Sequence, residues 1–365
     1  MMNGRISVPE IQEIIRSHPR IVARGGGSKT ALQLHRDGVE LVDLTGLQGL
    51  LEYQPEEFTF TAWAGSYVAD VQQILGEHDQ FLPFDPVLVE RGATLGGTVA
   101  SGLSGPGRYR FGGLRDFLLG VKFVDGLGNL VRSGGRVVKN AAGFDLSKFM
   151  VGSLGEYGVL VELTFKVFPR PIAYTTLGAE YPSLAAALQA LARLTATPLE
   201  LFAVELQPLD NGCVLLVRLG GRPETFAPRL ERLRGVLEGL SDKPQDYFIL
   251  QEAAETETWR SLREFQWVDS GLTLVKVPLT PRCVLPLDER LTASGAQRRY
   301  SVGANLAWIA WPGPILPLHD LLASQGLSGL AVLGRAEKPF VGVSVGEPFA
   351  RRVKQALDPL GKFSV

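Results

Sequence analysis

The spacing of apolar positions predicts alternating helices and strands over the first half of the chain. Apolar residues at helical spacing follow the S-x-x-E capping box of Ser7 and Glu10, so we predict a helix that ends before Pro19. A second helix is predicted with Ser66 as its N-cap, and a short glycine-rich helix at residues 94–102. Strands are predicted at residues 20–23, 39–44, 58–64 (FTFTAWA), 118–125, 130–132 and 159–168. The stretch FLPFDP at 81–86 predicts a stiff extended loop, because each proline restricts itself and its predecessor.

The second half repeats one order of elements. We predict strands at 173–180, 199–207, 212–219 and 245–250, with helices at 183–195 and 224–240. The order recurs with strands at 272–277, 299–303, 306–311 and 328–333, and helices at 283–292 and 316–325. This is the β-α-β-β-α-β order of a ferredoxin-like unit, present twice. Further helices are predicted at 252–266, between the repeats, and at 349–360.

The break Pro169-Arg170-Pro171 divides the chain. We expect one domain at residues 1–170, an α+β cap or substrate domain at 171–340, and a C-terminal segment at 341–365 that packs back on the first domain. A length of 365 residues with 45% hydrophobic content agrees with two domains.

Charge and composition exclude several function classes. A net charge of −1 gives no electrostatic footprint for nucleic acid. No apolar run approaches the roughly 20 residues that span a bilayer, and no signal-peptide pattern opens the chain, so we expect a cytoplasmic protein. The two cysteines, 70 residues apart, predict neither a disulfide framework nor an iron–sulfur cluster, and the four histidines do not pair at metal-ligand spacing.

Glycines are concentrated in one part of the chain. Of the 42 glycines, 17 lie between Gly92 and Gly158. Because glycine lets another group approach the main chain closely, this enrichment favours a site where the backbone itself binds a ligand, with a run of tight turns as the alternative.

Two glycine loops can form anion-binding nests. The first loop, RGGGSK at 24–29, follows a strand but matches neither a P-loop, since Ser28 precedes Lys29, nor a Rossmann fingerprint, since Thr30 takes the place of the last glycine. The second, GATLGGT at 92–98, opens the short helix. Two nests in one domain suit the pyrophosphate of a dinucleotide better than a single phosphate.

Five motifs in order resemble those of a known family. They are RGGGSK (24–29), PFDP (83–86), GATLGGTVASG (92–102), RYRFGGLRD (108–116) and KNAAGFDLSKFMVGSLGEYGVLVE (139–162). Together they are similar to the vanillyl-alcohol-oxidase, or PCMH-type, FAD-binding domain, and the last motif most resembles the E-type FAD-binding subunits of bacterial glycolate oxidases. The resemblance covers residues 18–170 and implies an α+β fold, with a two-subdomain FAD-binding domain beside the cap of ferredoxin-like repeats.

The resemblance implies which residues bind FAD. Lys139 and Asn140 would hydrogen-bond the cofactor or fix their loop, and an ion pair of Lys139 with Asp145 or Glu156 is the alternative. The complete set of implied cofactor-binding residues is Arg24, Gly25, Gly26, Gly27, Ser28, Lys29, Pro83, Gly92, Ala93, Thr94, Gly96, Gly97, Thr98, Ser101, Gly102, Lys139, Asn140, Gly152, Ser153, Gly158 and Val159.

Departures from the family pattern add further expectations. Relatives with covalent flavin often carry a histidine in the first glycine loop, whereas this loop has Ser28 and Lys29, so we expect non-covalent FAD. The cap metal motif of the D-type partner subunit has no counterpart, so no metal is expected. The catalytic base is unknown, with Arg263, Arg335 and Lys338 of the cap as weak candidates.

The resemblance implies the FAD-binding subunit of a glycolate (2-hydroxy acid) oxidase or dehydrogenase complex that takes part in flavin-mediated oxidation and electron transfer. Its expected partners are a D-type FAD subunit, an iron–sulfur subunit and a small 2-hydroxy acid, with membrane attachment only through partner subunits. Two alternatives stay open: a self-sufficient FAD-dependent oxidoreductase acting on a hydroxy acid or an enolpyruvyl group, and a structural flavin-binding subunit without its own chemistry.

Overall fold

A computed structural model describes residues 6–33, 38–135, 145–344 and 346–363 of the chain. Its α-helices are α1 (Val8–Ser17), α2 (Val68–Gly76), α3 (Leu95–Ser101), α4 (Arg108–Phe111), α5 (Leu114–Phe117), α6 (Leu146–Phe149), α7 (Leu184–Thr195), α8 (Phe226–Glu238), α9 (Glu252–Glu264), α10 (Pro281–Ala293), α11 (Leu316–Ser324) and α12 (Glu347–Leu357). Its strands are β1 (Ile21–Arg24), β2 (Glu40–Asp43), β3 (Leu50–Gln54), β4 (Thr59–Trp63), β5 (Gln80–Phe81), β6 (Leu118–Val124), β7 (Leu130–Gly134), β8 (Val159–Lys166), β9 (Phe168–Pro169), β10 (Ala173–Tyr181), β11 (Ala203–Leu209), β12 (Gly212–Gly221), β13 (Asp246–Gln251), β14 (Thr273–Pro278), β15 (Gln297–Ser301), β16 (Leu306–Trp311), β17 (Ser328–Leu333) and β18 (Phe340–Gly342).

The chain divides into two compact units. The first unit comprises Met1–Gly105, Gly112–Arg170 and Val345–Val365, and the second comprises Pro106–Phe111 and Pro171–Ser344. The motif RYRFGGLRD, which the resemblance assigns to the FAD-binding domain, is therefore divided, because its helix α4 belongs to the second unit.

The first unit contains a five-stranded antiparallel sheet in the order β3-β4-β8-β6-β7. Phe60 on β4 and Phe165 on β8 stack at 5.4 Å between ring centroids, and Phe84 stacks on Phe165 at 5.9 Å. All three rings are buried, so the loop that carries Phe84 is anchored in the core of the sheet.

A smaller parallel pair, β1 with β2, shares a hydrophobic cluster with α1 and with strands β6 and β8 of the five-stranded sheet. The buried residues Ile11 and Ile15 of α1 pack with Ile21 of β1 and with Phe363. The Ile21 N–H also donates to the Lys362 carbonyl at 2.8 Å, so the last described residues are bonded to the strand that leads into the first glycine loop.

The second unit is built on one nine-stranded sheet in the order β13-β10-β12-β11-β15-β16-β14-β17-β18. Numbered 1 to 4 along the chain, strands β10–β13 lie in the spatial order 4-1-3-2, and strands β14–β17 lie in the mirrored order 2-3-1-4. Each set has the ferredoxin-like arrangement, which the sequence predicted twice. The two repeats meet where β11 pairs with β15, at Leu206 and Tyr300.

Two local predictions were wrong. Ser66 does not cap α2: Tyr67 is the N-cap residue, the Val68 N–H donates to the Ala93 carbonyl, and the Ser66 hydroxyl oxygen accepts from the Gly49 N–H at 2.9 Å. The stretch FLPFDP is not extended throughout, because the Asp85 N–H closes a turn on the Leu82 carbonyl.

Strand β3 was not predicted. Its sequence LLEYQ lacks a clean alternation of apolar and polar residues, and it forms an edge of its sheet, where one side of the strand needs no partner. In the described part of the chain no helix is long and apolar enough to cross a membrane.

Candidate functional site

The first glycine loop leaves the end of β1 and turns into a short 3₁₀ helix at Thr30–Leu32. Gly27 has a φ of +70°, which favours glycine, and its carbonyl accepts a hydrogen bond from the Gln33 side-chain amide. Ser28 and Lys29 are buried, and the Lys29 ammonium donates to the Ser28 hydroxyl at 3.1 Å. This loop therefore places a buried cation beside three consecutive glycines.

The other cation of this loop, Arg24, forms an ion pair. The Arg24 guanidinium lies 2.6 Å from an Asp43 carboxylate oxygen, across the β1–β2 pair. Partial burial opposes ionisation of Asp43, but hydrogen bonds from Thr45 and Arg24 outweigh it and lower the pKa of the Asp43 carboxyl. Arg24 thus contributes less free positive charge than the sequence alone suggests.

The second glycine loop leads into α3, whose local sequence specifies both ends. The Thr94 hydroxyl oxygen accepts from the Gly97 N–H at 3.2 Å, and Gly102 ends the helix in the left-handed conformation. This confirms the short helix predicted at residues 94–102.

The two loops pack directly against each other. A side chain at Gly26 would collide with the Gly92 carbonyl, and one at Gly25 would collide with the Thr94 hydroxyl. The fit at Gly96 is less tight, since a side chain there would meet the Ala64 methyl group and carbonyl oxygen at 2.9 Å. These positions need glycine because neighbouring backbone segments contact each other there. The high glycine content of the sequence alone does not tell such packing from contact with a ligand.

One pocket of the first unit is lined by both loops. It opens to solvent, and with its open mouth it encloses about 610 Å³ of empty space. Its wall consists of Ala23, Arg24, Gly25, Gly26, Gly27, Ser28, Lys29, Leu32, Gln33, Thr94, Gly97, Ala100, Ser101 and Leu154.

The wall contains nine of the residues implied by the sequence, namely Arg24, Gly25, Gly26, Gly27, Ser28, Lys29, Thr94, Gly97 and Ser101. The sequence interpretation missed Ala23, Leu32, Gln33, Ala100 and Leu154. A signal for Ala100 was available, since it lies about one helical turn after Gly97. Nothing local marked Gln33, which reaches the loop through its side chain.

The segment after α6 joins this pocket through Leu154. Its N–H donates to the Ala100 carbonyl at 2.8 Å, and the Gly152 N–H donates to the Val99 carbonyl at 2.9 Å. Leu154 has a φ of +50°, an uncommon conformation for a residue with a side chain. The GSLG run is therefore docked on the last turns of α3 by two backbone bonds.

The remaining implied residues are not part of this wall. Gly158 packs on Phe123, where a side chain would not fit, and Val159 begins β8. The other implied residues outside the wall are Pro83, Gly92, Ala93, Gly96, Thr98, Gly102, Gly152 and Ser153. Lys139 and Asn140 lie outside the described residues.

Two buried hydroxyl groups near the pocket have no hydrogen-bond partner among the described residues. They are the side-chain oxygens of Thr98 and Ser153, and both residues are at most 4% exposed. A buried polar atom without a partner is costly, so such atoms usually mark a place where another group binds. Their presence, together with the glycine loops, fits a long polar ligand such as FAD.

The three catalytic candidates belong to the second unit. Arg263 is in α9, and Arg335 and Lys338 are exposed residues between β17 and β18. The Arg335 carbonyl accepts from the Thr273 hydroxyl at 3.1 Å. Within the described ranges no group of three histidine, cysteine, aspartate or glutamate residues could hold a metal ion.

Comparison with known proteins identifies the family. A family model described as an FAD binding domain matches residues 7–134. The glycolate oxidase subunit GlcE of Escherichia coli is 31% identical over 363 residues, covering 97% of this chain and 94% of that protein. The glycolate oxidase subunit GlcD of Bacillus subtilis is 30% identical over 168 residues, or 46% of this chain and 35% of that protein.

The fold has a counterpart among solved structures. Alkyldihydroxyacetonephosphate synthase superposes over 96% of this chain and 73% of its own, with a TM-score of 0.71 and 16% identity, and has the PCMH-type FAD-binding fold. The fold therefore agrees with the α+β, PCMH-type architecture expected from the motifs. The chain belongs to the PCMH-type, FAD-dependent oxidoreductase family that includes the glycolate oxidase subunit GlcE, and its cofactor is FAD.

Proposed function

We propose that this chain is the FAD-binding subunit of a glycolate (2-hydroxy acid) oxidase complex, where it takes part in flavin-mediated oxidation and electron transfer. The observation that carries this proposal is the extent of similarity to GlcE, which includes nearly the whole of both chains. By contrast, similarity to GlcD covers about half of this chain and about a third of that protein.

The pocket of the first unit is the proposed FAD site. Its glycine loops offer backbone N–H groups to the pyrophosphate, and Lys29 supplies a buried positive charge. Thr98 and Ser153 offer hydroxyl groups that lack partners among the described residues. Bound FAD supplies two-electron oxidation of a hydroxy acid and passes the electrons onward. Because the first glycine loop has Ser28 and Lys29 where relatives with covalent flavin often carry a histidine, we propose that FAD is held without a covalent bond.

The proposed partners follow from the same assignment. They are a D-type FAD subunit, an iron–sulfur subunit and a small 2-hydroxy acid, and any membrane contact would be made through the partner subunits. Residues 171–340 form the proposed cap, with Arg263, Arg335 and Lys338 as candidates to hold the substrate carboxylate. The cytoplasm is the proposed location.

A self-sufficient oxidoreductase is the second candidate. It is favoured by the D-lactate dehydrogenase of Anaerostipes hadrus, which is 29% identical over 183 residues, or 49% of this chain and 38% of that protein. A structural subunit that binds flavin without chemistry of its own is the third.

Reduction of the flavin by substrate separates these candidates. The chain is purified alone, and then together with the D-type subunit encoded in the same genome, and its absorbance near 450 nm is followed after addition of glycolate or D-lactate. The complex assignment predicts yellow protein whose flavin is bleached only when the D-type subunit is present, by more than the FAD of the D-type subunit alone accounts for. A structural subunit would keep its own flavin oxidised in both cases. Bleaching of the isolated chain would instead establish the self-sufficient enzyme.

A pair of glycine variants tests the location of the FAD site. Gly26→Ala places a methyl group against the Gly92 carbonyl and should abolish flavin retention. Gly76→Ala is the matched control, since a side chain there meets no atom within 4 Å. Full flavin content in purified Gly26→Ala protein would contradict the site.

A further inference from the structure

The second unit contains a cavity of about 300 Å³ on the seam between its two repeats. Gln207 on β11 and Arg299 on β15 form its sheet wall, and the residues are direct neighbours because Leu206 pairs with Tyr300 in antiparallel register. Helix α9, which connects the repeats, forms the opposite wall with Glu257, Thr258 and Ser261. Both repeats and their connecting helix therefore contribute to one cavity.

Among the described residues that line this cavity, Arg299 is the one cation. One of its terminal nitrogens donates to the Gln207 side-chain oxygen at 2.7 Å, and its guanidinium carbon lies 5.1 Å from the centre of the Trp267 ring. Its Nε is buried without a hydrogen-bond partner, and no ion pair joins Arg299 to a carboxylate in the described residues. Burial lowers the pKa of Arg299 to about 10, which still leaves it charged at neutral pH, and the negative charge of Glu205 opposes the shift.

Two other arginines of the same sheet, the buried Arg218 and the partly buried Arg298, have carboxylate partners. Arg218 binds Glu255 at 2.6 and 3.1 Å, and Arg298 binds Asp288 at 2.7 and 2.8 Å. Glu205 does not serve Arg299 in this way, because its carboxylate accepts from Ser301 at 2.5 Å and from the Val302 N–H at 3.3 Å. A buried charge is stable when it is paired. A guanidinium that lines a cavity and has no carboxylate partner is therefore suited to bind an anion.

We propose that this cavity binds a small organic monocarboxylate through the guanidinium of Arg299. A carboxylate matches the planar fork of donors on a guanidinium, which a spherical ion cannot do. A single charge is favoured because the wall offers one cation and also contains Glu257, whose own carboxylate is held by Arg260 at 2.5 and 2.8 Å. All the residues involved belong to the second unit, so this site is separate from the glycine-loop pocket of the first.

The test uses the full-length, FAD-loaded chain and acetate as the probe. Saturation-transfer NMR gives the Kd for acetate at constant ionic strength, and the titration is repeated with chloride and with phosphate as competitors. The Arg299→Gln variant should weaken acetate binding about tenfold or more, since it removes charged hydrogen bonds. Arg232→Gln removes the same charge from an exposed position on α8 and should change the Kd less than about twofold.

A second variant keeps the test decisive if Arg299→Gln does not fold. Ser261→Leu fills the cavity from the helix side while Arg299 is retained, and it should also abolish acetate binding. Unchanged acetate binding in Ser261→Leu, or in folded Arg299→Gln, would overturn the proposal. So would the absence of acetate binding to the unaltered chain, or displacement of acetate by chloride at equal concentration, which would make the cavity an inorganic-ion site.

Discussion

The Thr94 hydroxyl oxygen accepts a hydrogen bond from the Gly97 N–H at 3.2 Å and so closes the first turn of α3. This helix is only seven residues long and contains two adjacent glycines, so it has little propensity of its own. We expect Thr94→Val, which keeps the shape and removes the acceptor, to lower the free energy of unfolding of the apoprotein by about 1 kcal/mol. Urea unfolding of the apoprotein measures this change.

Thr94→Ser is the matched control, because serine keeps the acceptor oxygen. It should retain most of the stability that the valine variant loses. Equal losses in both variants would mean that the methyl group of Thr94, rather than its hydrogen bond, supports the helix.

For Thr98, four residues later, we expect the opposite effect of a valine substitution on the stability of the apoprotein. Its hydroxyl is buried without a partner in the described residues, so Thr98→Val should leave the apoprotein as stable as before or stabilise it by about 1 kcal/mol. If this hydroxyl bonds FAD, the same variant should weaken FAD binding about tenfold. Quenching of flavin fluorescence gives the affinity, and urea unfolding gives the stability.

Ser153→Ala repeats this test on the other unpartnered hydroxyl. A loss of apoprotein stability in either variant, with FAD affinity unchanged, would show that the hydroxyl serves the protein rather than the cofactor.

Helices and strands were predictable where their determinants are local. The ends of α3 are encoded by Thr94 and Gly102, and the start of α1 by the capping box of Ser7 and Glu10. The two ferredoxin-like repeats were predictable because each strand and helix has its own apolar period. The β-α-β-β-α-β order of these elements then indicated the ferredoxin-like topology.

Features that depend on distant residues were not predictable. Ser66 has the residue type of an N-cap, but the nearby Gly49 uses its hydroxyl and Ala93 supplies the acceptor for the helix. Likewise, the sequence places Arg24 beside the glycine loop but does not reveal its pairing with Asp43. In each case the deciding contact joins segments that are separated along the chain, and local propensity carries no information about it.

Removing one partner of the buried ion pair of Arg218 and Glu255 should lower the free energy of unfolding strongly, whereas replacing both partners with apolar residues should change it little. Its two bonds are supported by Thr176 at 3.3 Å from the carboxylate, and the Tyr174 ring lies 3.9 Å from the guanidinium carbon. Glu255→Leu leaves a buried cation and should cost about 3–5 kcal/mol in urea unfolding. The double variant Arg218→Met with Glu255→Leu should recover most of this loss, whereas a double variant as unstable as the single one would assign the loss to packing.

Lys276 gives the stability of this protein a defined dependence on pH. Burial, together with the positive charge of Arg108, lowers the pKa of the Lys276 ammonium to about 8. The unfolded chain, with its ordinary lysine pKa of about 10.5, then binds more protons than the folded chain between these two values. Stability should therefore rise with pH from about 8 to 10.5, by an amount on the order of 3 kcal/mol for this group.

The Lys276→Met variant isolates this contribution. At pH 7 the variant should be more stable than the unaltered chain, because the unfavourable burial of charge is removed, and the difference should shrink as the pH approaches 10. Urea unfolding across this range measures the difference, and Lys243→Met, at an exposed position, controls for the loss of one positive charge. A difference that stays constant from pH 7 to 10 would mean that the Lys276 ammonium keeps its ordinary pKa in the folded protein, because only a group with different proton affinities in the two states makes stability depend on pH.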